Sequence, residues 1–291
     1  MLTRLVLALM WLLHFLPLGA QSVLGGSLGR LFYLVGRGRR HVTLTNLRLC
    51  FPQMEESRRR NLAQTNFAVV ARSFLERGLL WWAPETRIRR LVRLEGDEYL
   101  RAALAEGAPV IVMAPHFVGM DVGWTRLTCD FEMSGMYANQ RNSHFNTALS
   151  KGRARFRNCE ILSRQAGIRP ALRAIREGRP FYYLPDMDYG PRDAIFVPFF
   201  GHPAATIVGV SRLARLCEAK VIPCVTRMLE GGAGYVVKLY PAWDNFPGAD
   251  IETDTRRMNA FVEERVLEMP EQYYWVHRRF KTRPPGEKKP Y

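Results

Sequence analysis

Apolar and polar positions follow three different patterns along the chain. Two apolar runs come first, Val6–Leu18 and Val23–Val35, interrupted by Pro17, Gly19, Gly25 and Gly26. Residues 57–80 then read as a helix, with apolar positions at Leu62, Phe67, Val70, Phe74 and Leu75. Beyond Leu94 short, wholly apolar runs alternate with helical stretches. PVIVMA at Pro109–Ala114 has the character of a strand buried on both faces. Similar runs recur at Phe131–Tyr137, Phe181–Leu184, Val221–Thr226 and Tyr235–Leu239. Helices are predicted over 96–105, 169–177, 206–218 and 253–268. Strands alternating with helices indicate an α/β sheet covered by helices. No internal repeat, low-complexity segment or strong linker divides the chain.

A membrane-spanning helix needs about 20 apolar residues. Residues 5–24 reach that length only by including His14, Pro17 and Gln21. The pattern fits a single anchor, a helix lying in the membrane interface, or a core helix of a soluble protein. Arg4 precedes the segment, whereas Arg30, Arg37, Arg39, Arg40 and Arg48 follow it. If it spans, the positive-inside rule places the rest of the chain in the cytoplasm. Three regions are therefore expected: an anchor or interfacial segment over 1–40, an α/β domain over 41–276 and a basic tail over 277–291.

Composition narrows the partners. The 291 residues are 47% hydrophobic and carry a formal net charge of +15. That excludes bulk disorder and favours anionic partners: lipid headgroups, an acidic protein or nucleic acid. No nucleic-acid-binding motif accompanies the charge, so nucleic acid is not expected. The five cysteines form no C-x-x-C pair, and no histidine spacing completes a zinc site. Reduced thiols packed as small apolar residues are the expectation, with no cofactor and no metal.

Chemistry concentrates after the PVIVMA strand, where PHFVGMD places His116 five positions before Asp121. On an ideal helix the two side chains would diverge by about 140°, so they meet only across a turn, which Gly119 permits. The C-terminal end of a buried strand is also where open α/β sheets carry their sites. Acyl transfer from a thioester to a hydroxyl needs a base working near neutrality, and imidazole suits it. A carboxylate on the other ring nitrogen would fix the tautomer. There is no G-x-S-x-G elbow, and a hydroxyl acceptor needs no enzyme nucleophile. The spacing alone does not separate such a base from a hydrogen-bonded core histidine.

HFVGMD resembles the H-x4-D/E block of the glycerolipid acyltransferase superfamily. PDMDYGPRDAIFVPFFG at 185–201, EQYYWVHRRFKTRP at 271–284 and TLTNLRLCFP at 43–52 resemble blocks of the bacterial lipid A biosynthesis acyltransferases, in family order. The resemblance implies a mixed, mostly parallel sheet flanked by helices, preceded by an N-terminal hydrophobic anchor helix. It implies acyl-acyl carrier protein as donor. The implied acceptor is a hydroxyacyl chain on a Kdo-bearing lipid A precursor, at the cytoplasmic face of the bacterial inner membrane. His116 would be the general base and Asp121 its orienting carboxylate. Many members carry Glu at the second position and HFG or HFM at the first, so HFV with Asp121 is a departure that leaves the dyad intact. Another lipid acceptor, with acyl-CoA as donor, is the nearest alternative.

Four further residues are site candidates. The superfamily resemblance implies a second block with a basic residue that contacts a substrate phosphate or the oxyanion, and by position that is Arg153, then Arg155. Asp186 and Asp188 follow the strand FYYLP. The resemblance of PDMDYG implies a site role for Asp186, positioning an arginine or binding the disaccharide, while Asp188 either joins it or shapes the turn before Gly190. The tail HRRFKTRPPGEKKPY reads either as a solvated end or as a dock for acyl carrier protein and anionic lipid.

Overall fold

The computed structural model describes residues 2–291. Six helices open the chain: α1 (Leu2–Leu13), α2 (Leu18–Val35), α3 (Arg37–Cys50), α4 (Glu56–Leu75), α5 (Arg77–Trp82) and α6 (Glu85–Leu91). Alternating elements follow: β1 (Val92–Glu95), α7 (Asp97–Ala105), β2 (Val110–Met113), α8 (Met120–Thr128), β3 (Ser134–Tyr137), α9 (Ser143–Arg153), β4 (Glu160–Ser163), α10 (Arg169–Arg176) and β5 (Phe181–Tyr183). The remaining elements are β6 (Ala194–Phe199), β7 (His202–Ile207), α11 (Gly209–Cys217), β8 (Lys220–Met228), β9 (Tyr235–Leu239) and α12 (Ile251–Glu268).

Seven strands form one sheet in the order β1-β9-β8-β2-β5-β3-β4, parallel except for the antiparallel β8–β9 pair. The expected α/β class and mostly parallel sheet are therefore present. β2 lies at the centre, and its pleat explains the unbroken apolar run. Val110 and Val112 enter a core with α5, α7 and α8, whereas Ile111 and Met113 enter the opposite core with α10 and α11. A third core joins α3, α4, α12 and the β6–β7 hairpin to Tyr273, Trp275 and Phe280.

The N-terminus departs from expectation. No helix of the described residues is long and apolar enough to cross a membrane. Pro17 separates α1 from α2 by ending one backbone ladder and capping the next. Nor is the 1–40 segment detached from the domain, since α2 lies against α4 at glycine contacts. A Cβ on Gly25 would meet Arg72 Cα at 2.5 Å, and one on Gly29 would meet Ala68 Cα at 2.4 Å. The outward sides of α1 and α2 expose Leu5, Leu9, Leu12, Val23, Leu31 and Val35.

The 277–291 segment is anchored at both ends rather than solvated throughout, with Pro285–Lys289 exposed between them. Arg279 is buried and donates to the Ala205 carbonyl and to Thr206 Oγ1 at 2.9 and 2.8 Å. Phe280 is fully buried, and the Tyr291 hydroxyl bonds Asn46. The chain is led there by two asparagines. Asn46 Nδ2 donates to the carbonyls of Trp275 and His277, both at 2.7 Å. Asn66 Nδ2 donates to those of Glu271 and Tyr273 at 2.8 and 2.7 Å.

Candidate active site

Parallel pairing of β2 with β5 decides which residues meet. Their register, Ile111↔Phe181 through Met113↔Tyr183, puts both C-terminal ends at one sheet edge. The Ala114 amide continues the ladder to the Tyr183 carbonyl at 2.8 Å. Two residues beyond that contact stands His116, and Asp186 stands at the same edge. His116 Nδ1 lies 2.7 Å from Asp186 Oδ1, and the His116 amide donates to both carboxylate oxygens at 3.0 Å. Asp186 is fully buried and His116 nearly so.

The carboxylate bonded to the histidine ring is thus Asp186, where Asp121 was expected. Among the described residues no hydrogen bond joins His116 to Asp121. Asp121 occupies the first turn of α8, where the helix dipole favours a negative charge. Its Oδ1 accepts from Arg153 Nη2 at 2.5 Å and Nε at 3.2 Å, and its Oδ2 lies 3.1 Å from Arg77 Nη2. Gly119 is needed for space rather than for a left-handed turn: its φ is −83°, and a Cβ would sit 2.7 Å from Thr226 Cγ2 on β8.

Electrostatics follow this division. Burial raises both carboxyls, but their partners outweigh it. Arg153 and Arg77 hold Asp121 at about 2. His116, by charge and by hydrogen bonds from ring and backbone, holds Asp186 below the usual carboxylate range, with Arg279 assisting. A charged Asp186 can accept a hydrogen bond from Nδ1–H of His116, an arrangement that in a neutral ring would leave Nε2 free to accept a proton. Burial, then the neighbouring charges of His116, Lys281 and Arg279, push His277 down to about 4, so it stays neutral beside the site.

His116, Asp121, Arg77 and Arg153 line one cavity of about 980 Å³, whose walls include Phe74, Trp124, Phe145, Leu149, Ile161 and Tyr182. The volume lies at the upper end of small-ligand pockets, and the apolar wall suits a hydrocarbon chain. The other sequence candidates separate. Arg155 turns away, bonding the Ala83 carbonyl and stacking on Phe156 at 4.2 Å. Asp188 pins the C-terminal segment, accepting from the Thr282 amide and hydroxyl at 2.7 and 2.8 Å and from the Gly190 amide at 2.9 Å.

The distant motif blocks converge here. Tyr273 bridges Phe117 as an isolated antiparallel pair, the Tyr274 amide donates to the His116 carbonyl at 3.0 Å, and the Val118 amide donates to the Gln272 carbonyl at 2.9 Å. The block at 271–284 therefore buttresses the His116 loop, and Asn46 from the block at 43–52 fastens it. Arg77 is the site residue that sequence reasoning missed. It lies in no motif, in a short helix outside the sheet, and only its position against Asp121 reveals it.

Comparison with known proteins agrees with the motif blocks. A family model described as bacterial lipid A biosynthesis acyltransferase matches residues 1–282. The lipid A biosynthesis lauroyltransferase of Escherichia coli K12 is 35% identical over 98% of this chain and 93% of its own length. The palmitoleoyltransferase of the same strain is 30% identical over 97% and 91%, and its myristoyltransferase 32% identical over 91% and 82%. A solved 1-acyl-sn-glycerophosphate acyltransferase of Thermotoga maritima aligns at a TM-score of 0.39, with 12% identity, over 86% of this chain and 97% of its own. The chain is an O-acyltransferase and belongs to the bacterial lipid A biosynthesis acyltransferase family.

Proposed function

We propose that the enzyme moves a fatty acyl group from acyl-acyl carrier protein to a hydroxyl of a hydroxyacyl chain on a Kdo-bearing lipid A precursor. The observation that carries this reading is the buried His116–Asp186 pair at the wall of the apolar cavity. Nε2 of His116 takes the proton of the acceptor hydroxyl, and the oxygen attacks the thioester carbonyl. The tetrahedral oxyanion collapses, the carbon–sulfur bond breaks, and the thiolate takes the proton back from the imidazolium. Asp186 holds the ring and stabilises its charged form. Arg153 and Arg77, anchored by Asp121, supply positive charge where the oxyanion or a substrate phosphate develops. No cofactor takes part in these steps.

Two surface features support work at the cytoplasmic face of the inner membrane. The exposed apolar sides of α1 and α2 fit a pair of helices lying in the bilayer interface. The net charge of +15 favours anionic headgroups and an acidic carrier protein. The test is acyl transfer by purified protein, read by mass spectrometry of the lipid product. His116→Ala should lower turnover by about 10² to 10⁴. Near-normal turnover in a folded variant ends the reading.

A further inference from the structure

The cavity carries a second group of basic side chains that the acyl-transfer step does not use. Arg164 opens a 3-10 turn after β4, Arg192 lies between β5 and β6, and Arg212 projects from α11. All three are exposed at the cavity wall. Arg212 pairs with Asp193 at 2.9 Å. Among the described residues, Arg164 and Arg192 have no carboxylate within 4.0 Å. Arg164 instead stacks on the ring of Tyr189 at 4.2 Å. Stacking fixes the guanidinium plane and leaves its N–H edge available for a forked contact with an anion.

Apolar side chains accompany these charges. Ile168 and Leu216 line the same cavity, yet are 44% and 56% exposed. Unpartnered arginines alternating with exposed apolar groups suit an amphiphile with an anionic head and a hydrocarbon body. The rim also adjoins the catalytic pair. Tyr189 follows Asp186 by three residues, and after burial the Asp186 charge is the main influence that raises its phenol, to about 12.

We propose that Arg164 and Arg192, with Arg212 beside them, form a subsite for a phosphate group of the lipid acceptor, which holds the acceptor so that its hydroxyl reaches His116. This rests on the acyl-transfer reading above. The chemistry, a guanidinium fork on a lipid phosphate, would also serve a phospholipid of the bilayer, so the experiment separates the two.

Full-length enzyme is assayed with a lipid A precursor, either intact or dephosphorylated, in neutral detergent micelles. The variants are Arg164→Gln, Arg192→Gln, their double, and the Lys counterparts. Binding of each to phosphatidylglycerol vesicles is measured in parallel. The double Gln variant should raise KM for the intact acceptor by about tenfold or more, with kcat within about twofold. Its KM for the dephosphorylated acceptor should match that of the wild type, and the Lys variants should recover part of the loss. An unchanged preference for the intact acceptor in the double Gln variant overturns the subsite. So does a loss confined to vesicle binding, which would assign the arginines to bilayer phosphate. Failure of the wild type to transfer any acyl group would instead defeat the acyl-transfer reading, and the subsite with it.

Discussion

Asp186 receives two kinds of hydrogen bond from His116, one from ring Nδ1 at 2.7 Å and one from the backbone amide at 3.0 Å. One buried carboxylate therefore contacts both the ring and the backbone of the loop that carries His116, the proposed base. Asp186→Asn should lower kcat by about 10² to 10⁴ with little change in KM, because the amide cannot stabilise the imidazolium. Steady-state kinetics with circular dichroism as the folding control would check it. A kcat within about threefold of wild type would return the orienting role to another residue.

Asp121 has a different task, and the two arginines it holds should betray this. Arg77→Met should reduce acyl transfer by about ten- to a hundredfold, since it removes one of the two cations at the site. Arg155→Met, outside the cavity, should leave kcat within about twofold. It should cost about 1 kcal/mol of stability through the lost bond to the Ala83 carbonyl. Kinetics and urea denaturation on both variants read the contrast. Equal effects on kcat would mean that proximity to Asp121 carries no weight.

His277 gives the site a pH signature in stability. Its folded pKa, about 4, lies below the ordinary 6.5, so as pH falls through this window the unfolded chain binds the proton first. The contribution is fully present above about 6.5 and lost as pH falls towards 4. The slope from this residue is at most about 1.4 kcal/mol per pH unit. His277→Gln should flatten the stability curve between pH 4.5 and 6.5 relative to wild type, measured by urea denaturation at each pH. A variant with the wild-type slope would show that the imidazole is solvated in the native protein.

The proposed membrane-facing surface can be tested apart from catalysis. Leu5, Leu9 and Leu12 stand at i, i+4 and i+7 on α1 and are exposed. Leu9→Glu combined with Leu12→Glu should weaken sedimentation with lipid vesicles by about tenfold or more, with Tm nearly unchanged. By contrast Gly29→Ala, inside the α2–α4 contact, should destabilise the fold by about 1–3 kcal/mol, because its Cβ would meet backbone. A drop in Tm for the charged pair would place α1 in the core instead.

The long apolar strands were legible because burial on both faces leaves a continuous run. β2, β3, β5 and β9 lie within the predicted stretches, and β8 overruns its stretch at both ends. β1 and β4 were not legible, since VRLE and EILS at the two sheet edges mix charge with apolar residues. The β6–β7 hairpin was missed, and its second strand displaced the start of the helix predicted over 206–218 to Gly209. The helix predicted over 57–80 divides at Glu76 into α4 and α5. His116 and Asp186 could each be found as residues following a strand. Their pairing could not, because it depends on β5 lying beside β2, a matter of strand order that local periodicity does not encode.

The clamps made by Asn46 and Asn66 also bear on the order of assembly. His116 stands on a loop in the first half of the chain, yet that loop is propped by residues 272–274, some 150 positions later. A nascent chain can lay down β2 and β5 well before those props emerge from the ribosome. Asn46 and Asn66, on helices from the start of the chain, make these bonds only with that late segment. The candidate site thus joins segments far apart in sequence, and its geometry is complete only when the C-terminal block is in place against the His116 loop.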